Sequence, residues 1–589
     1  MLRALAVLLL APFASAQQPF PGLLARFAGH DVDADGTAEI RRLETIGGAG
    51  EATAPRVIVF VEQRLLTPRA GVDEAAIVAL RERLQRFAAD LAAGGRRCEL
   101  VGAEVYSGPR HQDGRIVLAL RRVLQAARAA GPLQGAILVG HFPDALLLRT
   151  CNWRRGDDVE LVGRDGEKRA FHGYLRAVPE NVAWKCDLVL ADLDGDWEGR
   201  YFEAATELPR IQVAFDGPVP EGGGPFLAAD VRTSRFVDAF HLADGRVHVD
   251  VEAGASTVDD ATRDEECTDA DRRAANPLAL PEIAVSRIDA RGVAWSPRPR
   301  FVGGEGAPQR VALADGEKAP GWDAVWQPDP ALELQLLMQY FDRNHAFRTQ
   351  PPDAAADKPA SVAWGLGSGM RSTRGAKAVW RDFDEPGYDV KEHVDLLALL
   401  AWWQRPALLR TLRAHSDPFT AVFAKTDGKA LDAAVGSPWN FAARGAAMVP
   451  SLAAEARGGR ADFFFYRSLW ANQLPSPQPY VMVHTGCEAI SPHGATSLRY
   501  DDPGYGVRQH AEAILFYTPC VAMIGRAKVF YDEPRGFCEA LAAGGTVGDA
   551  WRRYFELEAA SSWGQAGGDI GRKRSYFWSL LGDFTLRLP

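Results

Sequence analysis

The run Val57-Ile58-Val59-Phe60-Val61 constrains the fold of this chain more than any other feature. Consecutive apolar, mostly β-branched residues ask for burial on both faces of a strand, as in a parallel sheet covered by helices. A helix signature follows. Asp73 is placed to cap it, Ile77, Leu80, Leu84, Phe87 and Leu91 recur at helical spacing, and Gly94-Gly95 stops it. The alternation continues with a strand near 98–106, a helix near 115–130 and a strand at 136–140, then strands at 186–191 and 283–285. The helix Leu332–Phe347 opens a second pattern of the same kind. Its strands are expected at Ser361–Trp364, Ala407–Arg413, Tyr480–His484 and Val521–Ile524, with a closing strand at Phe584–Leu588. Asp395–Trp403 is strongly apolar and aromatic and reads as a buried helix. Strands alternating with amphipathic helices predict an α/β fold of two three-layer halves with mainly parallel sheets, variants of one plan.

The expected boundaries are 54–300 for the first half and 301–589 for the second, after an Asp/Gly-rich segment at 17–53. Residues 200–280, with short alternating runs at 210–215 and 246–251 and the acidic stretch 259–273, read as an irregular or small β insertion. At 589 residues, 47% hydrophobic and 24% charged, the chain has the length for two or three domains and the balance of a globular protein. Its net charge of −9 argues against a general nucleic-acid binder. Residues 1–16 carry the marks of a secretory leader: Arg3, the apolar run Leu5–Leu10, and Ala14-Ser15-Ala16. That run is too short to span a bilayer and no later one is long enough. The expectation is therefore a secreted or periplasmic protein beginning at Gln17, with no integral membrane span. The seven cysteines form no CxxC pair, and their odd number leaves at least one thiol unpaired within the monomer.

Parallel sheets place chemistry just beyond the carboxyl ends of their strands. The strand Tyr480–His484 delivers Thr485-Gly486-Cys487-Glu488, a thiol at the rim after a glycine that permits close approach. A nucleophilic thiol needs a base within hydrogen-bond reach. The run Leu408–Ala414 delivers His415-Ser416-Asp417-Pro418. If the two strands are neighbours, His415 and Cys487 leave the sheet at one edge. His493 is the rival base, while His484 is expected to point elsewhere on its strand. Main-chain N–H groups at Gly486 and Cys487 are candidates for an oxyanion hole. Two acidic turns suggest calcium. Asp31, Asp33 and Asp35 precede Gly36 with Glu39 beyond, although Arg42 stands where an EF-hand has a bidentate Glu, so a hydrated acidic turn is the alternative. Asp192, Asp194 and Asp196, with Glu198 and Glu203, form the weaker site, having Trp197 at the glycine position.

Several segments, in this order along the chain, resemble the gingipain-type cysteine peptidases, relatives of the caspases. They are Ile137–Pro143, Asp192–Trp197, Pro281–Ile288, Tyr340–Asn344, Gly545–Ala550 and Leu580–Leu586. The resemblance implies two caspase-like subdomains and a Cys–His dyad, here Cys487 as nucleophile and His415 as general base and acid. It implies a protein or peptide substrate and no organic cofactor. The family usually has a His-Gly pair, whereas His415 precedes Ser416. The alternative reading is an inactive exported calcium-binding or surface-interaction protein on the same scaffold. A glycan-active hydrolase would instead need two facing carboxylates.

Overall fold

The computed structural model of the protein describes residues 20–31, 34–107, 114–148, 184–203, 279–298, 325–357, 395–416, 420–424, 426–436, 459–490, 510–527, 534–560 and 573–589, with short strand pieces at 159–163, 168–171, 235–237, 239–241, 247–249, 301–302, 309–310, 360–363 and 389–392. An 11-stranded sheet runs through it. Numbered in chain order, its strands are β1 (Ile40–Ala49), β2 (Arg56–Glu62), β3 (Arg97–Val105), β4 (Leu133–Val139), β5 (Ala284–Ile288), β6 (Ala360–Ala363), β7 (Asp389–Glu392), β8 (Leu409–Arg413), β9 (Tyr480–His484), β10 (Cys520–Arg526) and β11 (Trp578–Gly582). Their spatial order is β1-β3-β2-β4-β5-β11-β10-β9-β8-β6-β7. Neighbours are parallel except at β1–β3 and β10–β11. The α/β class with a mainly parallel sheet is as expected, and the two halves share a single continuous sheet.

Each half repeats one order. In the first, the strands β2 to β5 lie as β3-β2-β4-β5; in the second, β6 to β9 lie as β7-β6-β8-β9. The antiparallel β10–β11 junction reverses direction. The carboxyl ends of the first half's parallel strands therefore face one edge of the sheet, and those of the second half face the opposite edge.

Burial explains the elements. Val57 to Val61 are all 0% exposed, as a strand covered on both faces requires. The helix Glu74–Ala93 is capped by the Asp73 carboxylate, which accepts the Ala76 N–H at 2.8 Å, and it buries the five apolar residues expected of it. It packs against the helix Pro330–Thr349, which in turn contacts β10, so one helix touches both halves. The buried helix expected over 395–403 is observed as Leu396–Gln404, capped by Asp395.

Two expected strands are corrected. Over 186–191 there is no strand: the two-residue strand Trp184–Lys185 ends just before it, and Leu188–Ala191 is a short helix. A brief apolar run satisfies buried helix and buried strand alike, and here the Cys186 and Asp187 carbonyls accept the Val189 and Leu190 N–H groups at 3.2 and 3.0 Å, turning the chain into the helix. Over 584–588 there is no strand; the last one is β11, earlier in the chain. Gly582 at φ +82° packs against the Val521 carbonyl, where a side chain has no room, and the chain turns there. Phe584 and Leu586 are still buried, which is why the run looked like a strand. A six-stranded sheet is built from short pieces between Leu146 and Val237.

Candidate active site

β8 and β9 are adjacent and parallel, with Leu412 paired to His484. His415 and Cys487 both lie 3 residues past that pair (415 − 412 and 487 − 484), so their backbones leave the sheet at one edge. His415 begins the short strand His415–Ser416, which pairs antiparallel with Thr420–Phe423. The loops are joined directly. Ser416 Oγ donates to the Cys487 carbonyl at 2.5 Å, and the Thr485 N–H donates to Leu412 O at 2.9 Å. Gly486 makes this approach possible, because a Cβ there would run into Ser416 Oγ and lie 2.9 Å from Ala414 O.

The Cys487 turn is held from several sides. The Gly486 carbonyl accepts from Arg526 Nε at 3.1 Å, and the Ile490 N–H donates to Arg526 O at 2.9 Å. Glu488, directly after the cysteine, sits at φ +49°, a left-handed conformation that a non-glycine residue keeps only where its surroundings fix it. Cys487 is partly exposed, whereas the other cysteines among the described residues, Cys98, Cys186, Cys520 and Cys538, are buried. Burial pushes the Cys520 thiol up to about 12 and the Cys98 thiol higher still. Such thiols stay protonated and inert. Cys151 and Cys267 lie outside the described residues, as does the rival base His493.

His484 turns back on its own loop instead of pointing along the strand away from it. Its Nδ1 accepts the Gly486 N–H at 3.0 Å, and its Nε2 lies 2.9 Å from Nε2 of His510, the first residue of the helix His510–Tyr517. Both rings are 0% exposed. Burial lowers His510 to about 3, and burial, with His510 and the Arg526 charge, takes His484 well below the usual imidazole range. Both are therefore neutral at pH 7. Sequence reading missed His510; its position directly before the mostly apolar stretch Ala511–Tyr517 was the available signal. The Gly486 N–H, the candidate oxyanion donor, is directed at His484, and serving a substrate oxygen would require that bond to open.

The first half has a counterpart. Ile288 of β5 pairs with Val139 of β4; Asp289 follows directly on one strand and His141, after Gly140, on the other. His141 Nδ1 lies 2.7 Å from Asp289 Oδ2, and the His141 N–H donates to Glu62 Oε2 at 2.8 Å. Burial alone would raise the Glu62 carboxyl, but Arg64 outweighs it and holds the group below its usual range. A carboxylate thus faces the histidine at the first half's edge, whereas the second half presents a thiol at the opposite one.

At the N-terminal acidic turn, Asp31 accepts the N–H groups of Asp35 and Gly36 at 3.2 and 2.7 Å. Asp35 accepts the Thr37 N–H and pairs with Arg115 at 3.2 Å. Glu39 is buried, and Asp33 lies outside the described residues. At the second turn, the atoms brought within 4.8 Å of one another belong to Asp192, Asp194 and Glu282, with Glu282 in place of the expected Asp196. Asp196 instead accepts the Gly199 N–H. Burial raises the Asp192 carboxyl to about 7, with the Glu282 charge adding to it and a hydrogen bond from Trp197 opposing it.

No protein-family model and no curated protein matches the chain. Among solved structures, it is similar to the Arg-specific cysteine proteinase gingipain R at 10% identity and TM-score 0.40, over 92% of this chain and 80% of that one. It is similar also to a complex of the pro- and mature domains of the Porphyromonas gingivalis enzyme, at 11% identity and TM-score 0.39, over 90% and 79%. Among the described residues, no helix is long and apolar enough to cross a membrane.

Proposed function

We propose that the protein is a cysteine endopeptidase with Cys487 as nucleophile and His415 as its base. The observation that carries this reading is the bond from Ser416 Oγ to the Cys487 carbonyl, which ties the loop bearing His415 to the loop bearing the thiol. In the proposed reaction the imidazole takes the thiol proton as sulfur attacks the scissile carbonyl, then gives it to the departing amine. Water hydrolyses the resulting thioester with the same imidazole as base, returning the free thiol. Export after removal of residues 1–16, which lie outside the described residues, belongs to the same proposal. Any calcium at the Asp31 or Asp192 turn serves the scaffold in this reading, since both turns belong to the first half.

The test is cleavage of a mixed peptide library by the wild type, with and without prior thiol alkylation. Cys487→Ala and His415→Ala should each lose roughly 100- to 10,000-fold in rate, and the double variant little more, because the pair acts as a unit. His493→Ala should retain activity. A folded wild type that cleaves nothing would leave the scaffold without peptidase function. Loss with His493→Ala but not His415→Ala would move the base.

A further inference from the structure

We propose that His484 is a positioning residue for Cys487, acting through the Gly486 N–H, and that His510 fixes the tautomer it needs. The proposal rests on reading Cys487 as the nucleophile. His484 closes the run Tyr480-Val481-Met482-Val483, where a further apolar residue would bury at no polar cost. An imidazole at a fully buried position costs desolvation unless both nitrogens are partnered. The Gly486 N–H lies beyond the end of β9 and bonds to His484 Nδ1 instead of to a strand carbonyl, at 3.0 Å.

The proton positions follow from the network. An Nδ1 that accepts carries no proton, so the His484 proton is on Nε2 and is donated to His510 Nε2 at 2.9 Å. His510 must then hold its own proton on Nδ1, a buried atom with no hydrogen-bond partner among the described residues, so the cost of the arrangement falls on that ring. The two rings meet edge to face, with centroids 5.0 Å apart, and His510 packs on the Tyr466 ring at 5.5 Å, so neither ring turns without displacing core. The alternative tautomer of His484 would set its Nδ1–H against the Gly486 N–H. One proton arrangement thus joins the helix start at His510 to the residue before the nucleophile. Together with Arg526 on the Gly486 carbonyl and Ser416 on the Cys487 carbonyl, it fixes the peptide planes on either side of the thiol and the left-handed Glu488 beyond. A thiol displaced by about 1 Å from its base and from bound substrate turns over on the order of 100-fold more slowly, and one held off its base forms less of the thiolate that an alkylating reagent attacks.

The experiment compares His484→Asn, His484→Gln and His484→Leu. Asn places an amide oxygen where Nδ1 stands, so it keeps the acceptor for Gly486 but does not reach His510. Gln reaches toward His510 without an acceptor at the inner position, and Leu offers neither. Two readouts are taken on the full chain: the rate of Cys487 alkylation by iodoacetamide, followed by peptide mass spectrometry, and kcat and KM on the cleaved peptide. His484→Leu and His484→Gln should lose at least about 10-fold in alkylation rate and in kcat with KM little changed, and His484→Asn should recover most of it. Asn no better than Gln would overturn the proposal, and this comparison stands even where His484→Leu does not fold. So would Leu reacting as fast as the wild type. The alkylation readout needs no turnover. The ranking without peptide cleavage would leave the positioning role standing and remove the peptidase reading; cleavage without the ranking would do the reverse.

Discussion

Asp192 shows how one side chain acquires a property its sequence neighbours do not supply. Its carboxyl is raised to about 7 chiefly by burial, with Glu282 arriving from a distant segment to add its charge. The folded state therefore holds this proton more tightly than the unfolded chain does. The stabilisation is complete below pH 4 and is lost as pH rises through 7. From pH 5 to 7.5 the wild type should lose about 2 kcal/mol more than Asp192→Asn, read from urea midpoints at each pH. Equal slopes would refute the assignment. Millimolar calcium distinguishes the two ways of neutralising the cluster: a cation site restores the stability lost at pH 7.5, and a proton-only site does not. Asp192 and Asp194 were legible as an acidic turn, but Glu282 was not, because nothing local marks residues that packing alone brings together.

At the scale of elements, the strands and the helices around them follow from short-range pattern, whereas the loops after β8 and β9 depend on each other. Gly486 is the point of closest approach, lying against Ser416 Oγ and Ala414 O. Gly486→Ala must push the two loops apart. The strands beneath are fully buried and hold their register, so the melting temperature should fall only a few degrees while Cys487 alkylation and peptide turnover drop at least about 10-fold. Thermal melts alongside both rates check this, and unchanged rates would mean the loops give way without consequence. Legibility stopped at the short apolar runs. The segment 186–191 becomes a turn and a short helix, and 584–588 a buried tail, because burial alone does not choose between conformations over five or six residues.

Across the whole molecule, the last strand is the keystone. β11 lies between β5 of the first half and β10 of the second, and Ser286 Oγ donates to the Gly582 carbonyl at 2.7 Å. Asp583 then accepts from Asn344 at 2.9 Å and pairs with Arg348, both on the helix that touches both halves. Deleting residues 573–589 should expose two interior strand edges and yield aggregated protein, since open edges recruit other strands. A soluble monomer with protease-resistant halves, seen by size exclusion and limited proteolysis, would show that the halves stand alone. The sequence by itself determined the alternation of buried strands and amphipathic helices, the cap at Asp73, and the strand ends at which His415 and Cys487 leave the sheet. These are written in consecutive residues, through backbone sterics and the periodicity of burial. Only the tertiary structure decided that β8 and β9 are neighbours in register, that Ser416 reaches the Cys487 carbonyl and His510 reaches His484, and that the first half sets Asp289 rather than a thiol beside its histidine. Those pairings join residues far apart in the chain, and which of them form is settled by packing the whole core at once.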